Sequence, residues 1–98
     1  MDTINLLVDL RRKTPLAALT GDEERLLFEL YVMAQAHSQI LVTDVYKVPG
    51  FGSRSRSYRT LVSLRVKGIV ALDLDETDRR KRRVSFTDAA QIIFSSLS

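Results

Sequence analysis

Residues 75–88 read DETDRRKRRVSFTD. Five basic residues, Arg79, Arg80, Lys81, Arg82 and Arg83, stand in a row between acidic neighbours, and the run passes directly into Val84-Ser85-Phe86. A disordered basic tail has no use for apolar alternation, and a buried hairpin does not tolerate unpaired charge. The segment before it, IVALDLD (69–75), alternates too. Two alternating runs around a polar turn predict a β-hairpin whose return strand, RRVSF, sets Val84 and Phe86 on one face. The charges then belong to the wet tip, and the alternation begins where the strand rejoins a core.

Upstream of the hairpin lies RSRSYRTLVSLRVK, 54–67, preceded by Ser53 and followed by Gly68. Serine is a preferred N-cap and glycine a preferred C′ residue, so a helix over 54–67 is predicted. On a helical wheel Ser57, Leu61 and Leu64 share the inward side, Ser55, Arg56, Arg59, Val62 and Ser63 point away, and Tyr58 lies at the edge. PGFGS (49–53) is a turn. Before it, ILVTDVYK has room for one short helix starting near Val42 or Thr43. A longer helix, about 21 to 37, is announced by Thr20 and Glu23 at capping-box spacing, by Asp22, Glu23 and Glu24 in the first turn, and by Leu26, Leu27, Leu30 and Tyr31 at helical spacing. INLLVDL (4–10) is expected to make a short helix with Ile4, Leu7 and Val8 on one side, interrupted at Pro15, and Thr87 is expected to cap a last helix carrying Ala90, Ile93, Phe94 and Leu97.

The expected fold is therefore mainly α with a small β-hairpin, an α+β winged helix-turn-helix. A single domain spans 1–98: an N-terminal helix and linker over 1–19, a helical core over 20–68, the hairpin or wing over 69–86 and a C-terminal helix over 87–98. Charge follows the same division. Residues 1–38 hold four basic and six acidic residues, whereas 54–83 hold ten basic and four acidic ones, which points the positive half at an anionic partner. The chain has no cysteine and one histidine, His37, which removes thiol chemistry, zinc-finger ligation and the usual general-base arrangements. No catalytic constellation is visible, so no enzymatic activity and no cofactor are expected. With no apolar run long enough for a membrane span and no secretory pattern, a cytoplasmic location is expected.

Asp78, Arg80, Val84, Phe86 and Thr87 are spaced as in the wing of the multiple-antibiotic-resistance regulator (MarR) family of bacterial winged-helix repressors, which this stretch resembles. LVSLRVKGIV is similar to the end of that family's recognition helix, with Leu64, Gly68, Ile69 and Val70 in matching places. The likeness spans about residues 40 to 90, in a short, atypical member. It implies a sequence-specific double-stranded DNA-binding protein, a bacterial transcription regulator acting by promoter occupancy, associated with the nucleoid. It also implies that Asp78 shapes the wing through an ion pair with an arginine. The recognition-helix contacts expected are Ser53, Arg54, Ser55, Arg56, Tyr58 and Arg59, since Arg reads guanine O6 and N7 together and a helix N-terminus attracts phosphate. The wing contacts are Arg79, Arg80, Lys81 and Arg82, with Arg79 or Arg80 inserted in the minor groove. A homodimer through the terminal helices would match a palindromic site. Whether a small-molecule effector exists is not legible.

Other readings stand beside this one. The same module serves protein–protein interaction if Val62 and Val66 are contact residues, or it is an accessory part of a replication or segregation component. Asp73, Asp75, Glu76 and Asp78 fit no calcium-loop spacing, so no metal site is expected there, and hairpin solubility explains them.

Overall fold

The structure, a computed structural model, describes residues 18–78 and 80–96. The first helix, α1 (Gly21–Ala36), starts where its cap requires. The Glu23 N–H donates to Thr20 Oγ1 at 3.2 Å and the Thr20 N–H to Glu23 Oε1 at 2.8 Å, so two otherwise orphaned donors satisfy each other's residue. Leu26, Leu27 and Leu30 are fully buried on its inner face. The helix ends one residue before the sequence predicts, because His37 is already extended while its N–H still reaches the Met33 carbonyl.

Ile40–Leu41 form a short strand, β1, that the sequence did not announce, and one turn of helix, α2 (Val42–Val45), follows at once. The Asp44 carboxylate accepts from the Leu41 N–H at 2.9 Å and holds that junction. The turn after α2 drives Phe51 into the core, where it is 1% exposed. The Arg25 guanidinium covers the Phe51 ring, 4.7 Å from its centroid, and donates to the carbonyls of Pro49 and Gly50. Gly50 has φ +92°, a conformation that favours glycine, and a Cβ there would displace the Arg25 guanidinium from its place.

The next helix, α3 (Arg54–Val66), is capped by Ser53, whose hydroxyl accepts from the Arg56 N–H at 3.2 Å. It closes in a Schellman turn: the Ile69 N–H reaches the Leu64 carbonyl and the Gly68 N–H the Arg65 carbonyl, both at 2.9 Å, with Gly68 at φ +76°. That turn delivers the chain into β2 (Val70–Leu74), which pairs antiparallel with β3 (Arg82–Phe86). A last helix, α4 (Asp88–Ser96), buries Ala90, Ile93 and Phe94. The Thr87 hydroxyl in front of it, expected as a helix cap, donates back toward the Gly68 and Ile69 carbonyls at 2.6 and 2.8 Å, and so ties the start of α4 to the start of β2.

The described residues thus make an α+β unit of four helices and a three-stranded antiparallel sheet in the order β1-β3-β2. The expected two-stranded hairpin is corrected to three strands, because Ile40 pairs with Val84 and Leu41 with Arg83. β3 becomes the central strand. Val70, Leu72, Val84 and Phe86 lie on the sheet face that meets the helices, and Phe94 packs against both Phe86 and Tyr31, at 4.9 and 4.4 Å between ring centroids. The apolar residues expected at Ile4, Leu7, Val8 and Leu97 lie outside the described residues. No helix among the described residues is long and apolar enough to cross a membrane.

Phe51 ties the turn before α3 to the core, so Phe51→Ala should cost about 3–5 kcal/mol of folding stability, measured as a shift in a urea unfolding curve.

Candidate nucleic-acid interface

α3 presents one face to the core and one to solvent. Ser57, Thr60, Leu61 and Leu64 are buried. The two hydroxyls manage this by bonding backward within the helix, Ser57 Oγ to the Ser53 carbonyl at 3.2 Å and Thr60 Oγ1 to the Arg56 carbonyl at 2.9 Å. Thr60 was not placed inward from the sequence, although it stands three residues after Ser57. Arg54, Ser55, Arg56 and Arg59 are exposed, and Tyr58 is half-buried at the edge, as the wheel predicts. Their surroundings differ. The Arg54 guanidinium lies 5.5 Å from the centre of the Tyr46 ring, on the α2 side. Arg59 Nε reaches the Ser55 carbonyl over a long 3.4 Å, and its exposed side chain borders the same depression as Asp22, Arg56 and Lys67. Arg56 Nη2 is bonded to Asp22 Oδ2 of α1 at 2.8 Å.

A second ion pair lies on the same flank. Lys67 Nζ, at the C-cap of α3, is 2.6 Å from Glu23 Oε1 and 2.7 Å from the Ala18 carbonyl. Glu23 is 2% exposed. Burial pushes its carboxyl up, but the hydrogen bonds that Lys67 and the Thr20 N–H donate to Oε1 outweigh that and bring it from 4.5 down to about 2. The residue that caps α1 therefore also anchors the end of α3.

The tip of the β2–β3 hairpin, the expected wing, is built by two aspartates. Asp75 Oδ1 accepts from Thr77 Oγ1 at 2.6 Å, the Thr77 N–H at 2.8 Å and the Asp78 N–H at 3.2 Å, while Oδ2 lies 3.5 Å from Gln39 Nε2. The Asp75 N–H closes the hairpin on the Lys81 carbonyl at 2.9 Å. Assigning all four hairpin acids to solubility is thereby corrected: Asp75 is 7% exposed and organises the turn. The Thr77 hydroxyl, then the backbone N–H groups of Thr77 and Asp78, hold its carboxyl at about 2. Asp78 grips Arg80 from three atoms: Oδ1 accepts from the Arg80 N–H at 3.0 Å and from Nε at 3.1 Å, and Oδ2 from Nη2 at 3.3 Å. The Arg80 guanidinium pulls the Asp78 carboxyl below its ordinary range, helped by the Arg80 backbone N–H. The Arg80 side chain is nonetheless 91% exposed, so Asp78 holds its guanidinium at the surface of the tip. Arg79 lies outside the described residues.

Arg80, Lys81 and Arg82 share a cleft of about 310 Å³ with Thr43 and Tyr46 of the α2 segment and Tyr58 of α3. The wing and the helix ahead of it thus line one concave surface. The strand pleat separates the last two arginines. Arg82, opposite Leu74, sits on the face toward α3, whereas Arg83, opposite Asp73, sits on the other face, beside His37 and Ser85. Tyr46 and Thr43 were missed from the sequence, because nothing local distinguishes them from ordinary helix-turn residues.

Compared with family models, curated proteins and solved structures, the chain finds no match in any of the three.

Both Glu23 and Asp75 have folded-state values below their ordinary 4.5 and 3.8, so the stability they contribute is complete above those values and is lost as pH falls toward about 2. Unfolding free energy from urea titrations should decline as pH drops from about 5 to about 2, and Glu23→Gln should flatten that decline.

Proposed function

We propose that this protein is a winged helix-turn-helix that binds double-stranded DNA, with α3 in the major groove and the β2–β3 wing against the adjacent minor groove. The observation that carries the reading is the shared cleft: Arg80, Lys81 and Arg82 of the wing face Tyr58 of α3 and Tyr46, just after α2, across one concave surface. Three features support it. The exposed face of α3 carries Ser55 and Arg59 one turn apart, donors suited to base edges. Arg54 and Ser53 lie at the helix N-terminus, where backbone N–H groups attract phosphate. Arg80 is 91% exposed, and Asp78 orients its guanidinium through Nε and Nη2, so a cation stands presented at the tip for a narrow minor groove.

The rest of the proposal follows the MarR resemblance: a bacterial regulator, cytoplasmic and nucleoid-associated, that blocks a promoter by occupying it. It acts as a homodimer through its terminal helices, of which α4 leaves Ile92 exposed. No catalytic step is assigned to it. One observation favours a protein-binding module instead: Val66, on the outward side of α3, is 77% exposed.

Selection of bound sequences from a random duplex pool tests both readings. If about six phosphates are neutralised, log K should fall with log salt at a slope of about −5. Arg59→Ala should relax preference at one base position and cost about 1–3 kcal/mol, and Arg80→Ala should weaken all duplexes alike and reduce the slope by about 1. Failure to retain any duplex, even at low salt, sinks the DNA reading and leaves the protein-binding one.

A further inference from the structure

The cations of α3 are not equally free. On the flank toward α1, Arg56 is held by Asp22 at 2.8 Å and Lys67 by Glu23 at 2.6 Å. Arg59 borders the same depression as Asp22 and Arg56 but makes no ion pair, and on the wing flank Arg54, Lys81 and Arg82 likewise have no carboxylate within ion-pair distance among the described residues. Both acids come from the first turn of α1, which its capping box fixes against α3. The Asp22–Arg56 pair is about half exposed, with side-chain exposures of 44% and 50%, so solvent and ions reach it.

We infer that Asp22 makes the duplex-binding surface one-sided, by keeping Arg56 out of the phosphate contacts. This rests on the DNA-binding reading. Moving Arg56 onto a phosphate would leave Asp22 as an unpaired anion beside the DNA backbone, so the exchange gains little. The DNA is then gripped from the wing flank, through Arg54, Lys81 and Arg82, and read by Arg59. Arg56 acts as a positioning residue that joins α1 to α3 rather than as a contact. Asp22 thereby sets how tightly any duplex is held.

The test is a set of four proteins, wild type, Asp22→Asn, Arg56→Ala and the double variant, titrated with one fluorescent duplex across a salt series. Circular dichroism melting establishes that each is folded. Asp22→Asn should free one cation for phosphate, which steepens the slope of log K against log salt by about 0.9 and raises affinity roughly eightfold at about 0.1 M monovalent salt. Arg56→Ala alone should leave the slope at the wild-type value, and Asp22→Asn should have no effect on the slope once Arg56 is alanine. An unchanged slope in Asp22→Asn overturns the inference. So does an equal change with and without Arg56, because Asp22 would then act through its general field. A flattened slope in Arg56→Ala overturns it as well, since Arg56 would already be a phosphate contact. A wild type that binds no duplex defeats the proposed function and this inference together, whereas a binding wild type with an inert Asp22→Asn defeats the inference alone.

Discussion

The register of β3 is the constraint on which the rest of the structure depends. Val84 must lie opposite Ile40 on one side and Leu72 on the other to be buried. Because side chains alternate at a period of two, a slip of one residue would turn Val84 and Phe86 outward and bury Arg83 and Ser85 in their place. That cost locks the strand. Once it is locked, the basic run has no freedom of its own: Arg82 falls on the face toward α3, Arg83 on the opposite face, and Arg80 and Lys81 at the lip of the cleft. An apolar requirement in the core thus decides where the positive charge stands.

Carboxylates do the remaining shaping, and none of the four that matter is a mere diluent of positive charge. Asp75 folds the wing turn by accepting three hydrogen bonds, and Asp78 then sets the base of Arg80. At the other end of α3, Glu23 and Asp22 join α1 to Lys67 and Arg56. The two pairs of acids work in opposite senses on the surface. The wing pair projects a cation outward, while the α1 pair draws two cations back onto the protein. The cationic surface is consequently concentrated on the wing side of α3, although the sequence distributes arginines along the whole helix.

Much of this was legible before any coordinates, wherever the signal is local. The Thr20/Glu23 capping box, the Ser53 cap and the Gly68 stop each involve residues within about five positions of one another, and each appears as read. The basic tip and the alternation after it located the hairpin for the same reason. The third strand was not legible, because a two-residue strand has no periodicity and Ile40–Leu41 reads as any apolar pair until Val84, 44 positions away, is placed beside it. The burial of Asp75 was hidden by its company, since an acid among acids reads as solubility unless the turn that it closes is seen.

What the sequence alone determined is the succession of elements and the composition of the basic tip, because caps, turn residues and apolar periods act over a few residues along the chain. What only the tertiary structure decided is which charges are left free. Arg56 and Arg59 are neighbours on the same helix, of the same chemistry, and both border Asp22, yet only Arg56 comes within ion-pair distance of that carboxylate, which lies 34 residues earlier in the chain. Coulomb pairing depends on distance in space, and that distance is set by how α1 and the wing pack against α3.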